Sequence, residues 1–407
     1  MFIFYILPII VLGEPKTFVM TEFPLFITPP IGLGPNGGRL FGKVEFENNS
    51  TLLLFVLSSN QYDSWTSLLP TLTYPLQPNE MITTHLQPII NGVFDVTLKN
   101  IDSEQFYVGI YSPRIQNVLL NVDWILSDGT FLQYQYVPLA LVLRVMMTIL
   151  MVFLIGYVGK YIVGHYKSST QLHLFYVSVF LFTLAFLTEW IDSLDIEAVT
   201  GQRETWKTKW VPSLYQKGFD ILEVLMYLLT ALGWQTMRET LTYKEVQIIA
   251  SGVGLSILLG ILEIHCDGDE IQCGGYTSTR MIIHMFGYLT AIVAFNYHLA
   301  FLTASVDEGS IASTQTGFLY IKLFQFWWFR LIFLAFIIQP TVAIVIRTDL
   351  LGWQDDWIFI AFFWVSKIFL LAALAVAFRP GRRNLKLVQL AVKERRRLVP
   401  DLVSGLR

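Results

Sequence analysis

Long apolar stretches recur between residues 137 and 378, and they constrain the fold of this chain more than any other feature. Each is near or above the ~20 apolar residues that an α-helix needs to cross the hydrocarbon core of a bilayer. Charged residues make up 14% of the chain and the mean hydropathy is +0.54, whereas soluble globular proteins carry roughly 25% charged residues. The pattern predicts a membrane protein with an α-helical seven-transmembrane bundle. The predicted spans are residues 137–159, 172–190, 214–234, 246–263, 281–302, 318–346 and 353–378.

The segment after the last predicted span, residues 379–407, is strongly basic, with nine Lys or Arg and two acidic residues. Cytoplasmic segments beside membrane spans are enriched in Lys and Arg, so we expect this end in the cytoplasm. Seven crossings then place the N-terminal part on the lumenal or extracellular side. Leu and Val are mixed with the basic residues, which favours an amphipathic helix on the anionic inner leaflet. Recruitment of a cytoplasmic effector is the alternative.

The N-terminal part resembles a secretory signal followed by a folded ectodomain. Residues 1–13 form an apolar run too short to cross a bilayer, and they are expected either to be a signal peptide or to remain as a first strand. Residues 14–136 contain short alternating segments separated by turn-forming residues, which predicts a lumenal or extracellular β-sandwich. No nucleophile, metal cluster or phosphate loop stands out there, so binding or support is favoured over catalysis. The predicted strands are residues 40–47, 51–58, 93–98, 105–112 and 118–126.

Two further features suit an oxidising secretory compartment. Asn48 and Asn49 begin overlapping glycosylation sequons in a predicted turn. Cys266 and Cys273, the two cysteines of the chain, fall in one predicted lumenal loop, where a local disulfide is favoured over two free thiols. We therefore expect a multi-pass protein of the secretory pathway, at the plasma membrane or in the Golgi.

Ionisable residues within the predicted spans are the candidate functional residues, because burying charge in a membrane is costly. Three of them, spaced three apart in the third span, share a face near its outer end, with a tyrosine one turn deeper. Either these groups pair with one another and fix the bundle, or they line a polar cavity for a ligand, proton or ion. The candidates are Arg144, Glu189, Lys217, Asp220, Glu223, Tyr227, Arg330 and Lys367.

The histidines of the spans do not predict a metal centre. His284 and His298 are fourteen residues apart on one helix, about 21 Å at the helical rise, so they cannot share an ion whose ligands lie about 2 Å away. A metal-dependent lipid hydrolase is therefore disfavoured, and no cofactor is expected.

Two local patterns bear on helix packing. Gly252, Ser256 and Gly260 form a ridge of small residues that lets helices approach closely. Gln339 and Pro340 occupy the outer half of the sixth predicted span, where the proline favours a kink and a hinge.

The order of signal, sandwich, seven spans and basic tail resembles the intimal thickness-related receptor family, whose spans are classed as a rhodopsin-like receptor transmembrane domain. The resemblance is carried by residues 171–176, Gln-Leu-His-Leu-Phe-Tyr, and by the stretch from Glu223 to Gln235, which ends in Leu-Gly-Trp-Gln. The Gly-Trp pair is also similar to the Golgi-dynamics-domain seven-span group. The resemblance implies receptor signalling, through G proteins or in a pheromone-type response.

These observations leave several functions open. The first is a receptor-like protein whose ectodomain and outer bundle face bind an extracellular or lumenal ligand. The alternatives are a Golgi or endosomal sorting factor that binds cargo, and an ion pathway through the polar bundle. The balance of 28 basic and 31 acidic residues gives no overall charge for gripping a polyanion, so nucleic-acid binding is excluded as a prediction.

Overall fold

The computed structural model describes most of the chain, and the ranges below define that part. The predicted signal peptide, the Asn48 and Asn49 sequons and the basic tail lie outside it. The described residues are 17–20, 25–46, 52–68, 85–89, 92–98, 105–111, 118–163, 170–202, 205–266, 270–307 and 313–378.

The N-terminal part forms two antiparallel sheets. One has the strand order β1-β9-β4-β7, and the other has the order β2-β8-β5-β6 with β3 also paired to β8. A helix, α1 (Ser59–Leu68), follows β5. The strands are β1 (Thr17–Met20), β2 (Leu25–Ile27), β3 (Ile31–Gly32), β4 (Gly38–Phe46), β5 (Leu53–Ser58), β6 (His85–Pro88), β7 (Val93–Leu98), β8 (Gln105–Tyr111) and β9 (Val118–Leu126).

Alternating side chains produce this arrangement. In β7 the odd positions are exposed and Phe94, Val96 and Leu98 are buried, as expected where one face of a strand packs on a core. Buried residues from both sheets belong to one hydrophobic cluster. The five strands predicted from sequence are present as β4, β5, β7, β8 and β9. The shorter strands β1, β2, β3 and β6 and helix α1 were not predicted, because they give little or no alternating pattern.

Seven long helices form most of the rest of the described chain, and short helices at Tyr134–Tyr136, Trp206–Trp210 and Trp353–Asp355 precede α2, α4 and α8. Along the sequence each packs on the next, α4 also packs on α6, and α2 packs on α8. The helices are α2 (Val137–Val163), α3 (Thr170–Thr200), α4 (Val211–Ala231), α5 (Tyr243–His265), α6 (Glu270–Asp307), α7 (Ser313–Asp349) and α8 (Asp356–Ala377).

Within the described residues, six segments are long and apolar enough to cross a membrane, and together they define a multi-pass membrane protein. The six spans therefore account for six of the seven predicted crossings. The remaining predicted crossing, the third along the chain, corresponds to α4. This helix carries Lys217, Asp220 and Glu223 along one side, and because of these charges it is not one of the six apolar segments. The six segments are Tyr134–Lys160, Gln171–Thr200, Tyr243–His265, Cys273–Ser305, Leu319–Asp349 and Trp353–Ala377.

The two sheets contact one end of the bundle. Tyr134, just before α2, packs against the sheet core, and its ring lies 6.5 Å from that of Trp353, just before α8. The amide of Phe131 donates a 3.0 Å hydrogen bond to the carbonyl of Ala198 near the end of α3. Because successive helices alternate in direction, this same end holds the start of α4 and α6 and the end of α5 and α7.

Candidate functional site

The charged face of α4 anchors a buried network of ion pairs. Lys217, Asp220 and Glu223 follow one another at intervals of three residues, so their side chains project from one side of the helix. That side is directed at α5, α6 and α8, each of which supplies a charge of the opposite sign to one of the three. The helix therefore keeps three charges inside the bundle by pairing each of them.

The first part of the network joins α4, α5 and α6. Lys217 pairs with Glu263 at the end of α5. The other oxygen of Glu263 accepts a hydrogen bond from Arg280 Nε at 3.0 Å. Arg280 Nη1 in turn donates to Asp220 Oδ2 at 3.2 Å. The guanidinium thus connects a carboxylate of α5 to one of α4.

The second part joins α4 to α8 through Lys367. Its ammonium lies 3.8 Å from Asp220 Oδ1 and donates a 2.9 Å hydrogen bond to Glu223 Oε2. The side chain of Glu223 is 3% exposed. The network is therefore a chain of alternating charges that starts at a lysine and ends at a buried glutamate. In order, its members are Lys217, Glu263, Arg280, Asp220, Lys367 and Glu223.

This charge chain borders a cavity of about 410 Å³ between α4, α6, α7 and α8. Lys217, Asp220, Glu223, Arg280 and Lys367 all line it. Apolar and aromatic side chains form the remaining wall, among them Tyr288, Phe336, Phe363 and Trp364. A concave, largely apolar site with a few converging polar groups, and with a volume in this range, is typical of small-molecule pockets.

Several buried polar atoms around the cavity have no hydrogen-bond partner among the described residues. Two are acceptors that belong to residues of the cavity wall, Glu223 Oε1 and Gln339 Oε1. Two are donors, Tyr227 Oη and Trp364 Nε1. Buried polar groups are nearly always paired, so such a concentration is a mark of a site that receives a polar guest or ordered water.

An aromatic layer closes the cavity on the side away from the two sheets. Tyr227 lies one turn below Glu223, and its ring contacts those of Phe329, Phe333, Phe336 and Tyr288 at centroid separations of 4.7 to 6.4 Å. These rings are contributed by α4, α6 and α7. The polar region therefore occupies the half of the bundle nearer the two sheets.

Five of the eight predicted site residues come together here. Lys217, Asp220, Glu223 and Lys367 belong to the charge chain, and Tyr227 lies directly below it. The pairs themselves could not be assigned from sequence. The structure adds Glu263 and Arg280, which the predicted span ends placed at or just beyond the membrane boundary. The sequence indicated them only indirectly: the three charges predicted on α4 need partners of opposite charge on neighbouring helices.

The other three predicted residues lie elsewhere, so their placement in a common polar core was wrong. Arg144 is half exposed and pairs with Asp195 on α3 at 2.5 Å. Glu189 is partly exposed and makes no ion pair with any described residue. Both lie at the periphery of the bundle.

Arg330 is the clearest correction. It is exposed on the outer surface of α7 and has no acidic partner in the described part of the chain. Helical phase is the reason, since Phe326, Phe329 and Phe333 occupy the buried face of α7 and leave Arg330 at its margin. Nearly every residue around Arg330 in the sequence is apolar, so the sequence pattern did not reveal which face of α7 is buried.

The histidines serve as hydrogen-bonding groups in packed positions. His284 lies 2.7 Å from Ser256 Oγ, which joins α6 to α5. His173 lies 2.5 Å from Tyr157 Oη, and His298 lies 3.3 Å from the carbonyl of Leu232. Within the described ranges, no three His, Cys, Asp or Glu side chains are grouped to hold a metal ion.

Two features position Glu263 and Arg280. Cys266 and Cys273 form a disulfide that ties the end of α5 to the first turns of α6. Gly260, one turn before Glu263, lies against Lys217 of α4, and a Cβ there would make an ordinary 3.5 Å contact with Lys217 Cβ. Of the predicted small-residue ridge, Ser256 and Gly260 are buried against neighbours, whereas a Cβ at Gly252 would meet open space.

Comparison with known proteins adds no family to this description. No protein-family model matches the sequence, and no curated protein matches it significantly.

Proposed function

We propose that the chain is a seven-transmembrane, receptor-like protein that binds a small ligand in the cavity bordered by the charge chain. In this proposal the two sheets form a lumenal or extracellular β-sandwich, and α4 is the seventh span. The resemblance to the intimal thickness-related receptor family belongs to the same proposal. The supporting observation is the cavity itself, with its buried charges and unpartnered polar atoms on the side nearer the sheets.

The pairing of its charges supports α4 as a span. With 21 residues and a rise of about 1.5 Å per residue, the helix is about 31 Å long, which matches the hydrocarbon core. Charged side chains inside a membrane are found facing the bundle interior and pairing with one another. Lys217, Asp220 and Glu223 do both.

The aromatic layer supports a ligand cavity over an ion pathway. Tyr227 and the phenylalanines below the charge chain form a layer of packed rings, and a hydrophobic constriction of this kind blocks the passage of ions. Pro340 also lines the cavity. It interrupts the hydrogen-bond ladder of α7, which makes α7 the helix we expect to move when the cavity is filled.

Cysteine labelling tests whether water enters the cavity from the ectodomain side. The two native cysteines are joined, so one introduced cysteine is the sole free thiol. Met285 lines the cavity, and its neighbour Phe286 is 65% exposed on the outer face of α6. We expect Met285→Cys to react with a charged, membrane-impermeant thiosulfonate added on the ectodomain side, because reaction requires a hydrated thiolate. Phe286→Cys, at the same depth in lipid, is the matched control and should stay unmodified.

Equal reactivity of the two positions, or reaction of Met285→Cys from the opposite side alone, would contradict the proposed cavity.

The cellular location separates a receptor from a sorting factor. Surface labelling of intact cells that express the tagged full chain should detect a receptor at the plasma membrane. Steady retention in the Golgi would favour the sorting factor instead.

A further inference from the structure

The end of the charge chain indicates the kind of ligand. Each inner member, from Glu263 to Lys367, contacts two groups of opposite charge. Glu223 contacts one, Lys367, and its second oxygen, Oε1, is buried without a partner among the described residues. Every inner member of the charge chain therefore has two partners of opposite charge, whereas Glu223 has one and could accept a second positive group.

A second acceptor belongs to the same wall. The amide nitrogen of Gln339 donates a 3.1 Å hydrogen bond to the carbonyl of Phe363, which fixes the orientation of the side-chain amide. Its oxygen, Oε1, is then left buried without a partner in the described part of the chain. Gln339 and Glu223 are both buried. A group that donates hydrogen bonds, such as an ammonium, would satisfy either acceptor.

The aromatic wall also favours a cation. The ammonium of Lys367 lies 5.0 Å from the ring centroid of Phe363 and 5.5 Å from that of Trp364, which is the geometry of a cation–π interaction. Tyr288 and Phe336 extend the ring surface, with centroids 5.2 Å apart. The protein itself therefore already holds one ammonium group against this wall.

An anionic ligand is poorly matched to the same cavity. The three cations, Lys217, Arg280 and Lys367, each contact at least one carboxylate. Among the described residues none of their nitrogens is buried without a hydrogen-bond partner, so these cations offer an anion no counterpart of Glu223 Oε1.

From this geometry we infer that the cavity binds a small amphiphilic amine, with its ammonium group at Glu223 and Gln339 and its apolar body against Tyr288 and Phe336. This inference rests on the proposed function and specifies the ligand class of the same cavity.

The test compares three probes of similar shape and different charge on the purified full chain in lipid nanodiscs, with empty nanodiscs as the blank. The probes are 2-phenylethylamine, 2-phenylethanol and phenylacetate. Hydrogen bonds to a charged partner contribute about 1.5–3 kcal/mol. We therefore expect the amine to bind about tenfold or more tightly than the alcohol, and phenylacetate to bind more weakly than either.

Variants identify where the amine binds. Glu223→Gln should weaken binding of 2-phenylethylamine by about tenfold or more and leave 2-phenylethanol nearly unchanged. Glu189→Gln, which removes a carboxylate on α3 outside the cavity, is the matched control and should bind the amine normally. Gln339→Met preserves the charges of the cavity and removes one acceptor, so it should also weaken amine binding. It serves as the test if Glu223→Gln fails to fold.

Other results overturn the inference in distinguishable ways. If phenylacetate binds most tightly, if all three probes bind equally, or if none binds while Met285→Cys is labelled, the amine class is wrong and the proposed cavity stands. If none of the probes binds and Met285→Cys is not labelled, both the amine class and the proposed function are wrong. Amine binding that survives both Glu223→Gln and Gln339→Met would place the amine elsewhere.

Discussion

Lys367 is the side chain on which the polar half of the bundle most depends. It contacts both Asp220 and Glu223 and lies against three aromatic rings. Asp220 has a second cationic partner in Arg280, whereas Glu223 has none among the described residues. Removing the ammonium would therefore leave one carboxylate buried and uncompensated.

We expect Lys367→Met to destabilise the protein by about 3–5 kcal/mol, the usual cost of removing one partner of a buried pair. Arg144→Met, which breaks the half-exposed pair with Asp195, should cost about 0–1 kcal/mol. The double change Lys367→Met with Glu223→Gln should recover much of the loss, because no unpaired charge remains. Thermal unfolding of the detergent-solubilised full chain measures all three. A Lys367→Met variant as stable as Arg144→Met would show that the charge chain is not the buried network described above.

The same residues show what sequence reasoning could and could not supply. The free-energy cost of burying a charge in a membrane identified Lys217, Asp220, Glu223 and Lys367, since charges in apolar spans are rare enough to be informative. They could not distinguish these from Arg330, because the face that a uniformly apolar helix buries depends on its neighbours. Gln339 was noticed only for its proline neighbour, and its role in the cavity depends on a carbonyl of α8.

The α5–α6 hairpin is the element that presents Glu263 and Arg280 to α4. Its two helices are joined by the disulfide between Cys266 and Cys273 and by the hydrogen bond between Ser256 and His284. The disulfide lies just beyond Glu263, so it restrains the helix end from which that carboxylate reaches both Lys217 and Arg280.

Replacing both cysteines by serine should lower stability by ~2–3 kcal/mol, the loop-entropy contribution of a short disulfide-closed loop. The loss should be smaller when Glu263→Gln is already present, because the two changes act on the same contact. A double-mutant cycle of unfolding midpoints under non-reducing conditions measures this coupling. Strict additivity would mean that the disulfide has no part in positioning Glu263.

Many of the strands and helices in the described part of the chain could be predicted from sequence. The alternation of apolar and polar residues predicted the five longest strands, and hydropathy located six helices that are long and apolar enough to span a membrane. The helix α4 was predicted as a further span from its length and apolar residues, despite its charges. What makes those charges tolerable is the opposite charge on α5, α6 and α8, and such pairings between distant segments leave no periodic signal in a single sequence.

Whether α4 crosses the membrane decides the central claim, and the sidedness of the two ends of the full chain measures it. Seven crossings put the two-sheet region and the C-terminal tail on opposite sides, whereas six put them on the same side. We predict that, in sealed microsomes, added protease removes a C-terminal tag and leaves a tag inserted in the two-sheet region protected. Protection of both tags, or loss of both without detergent, would contradict a membrane-spanning α4 and the ligand cavity built on it.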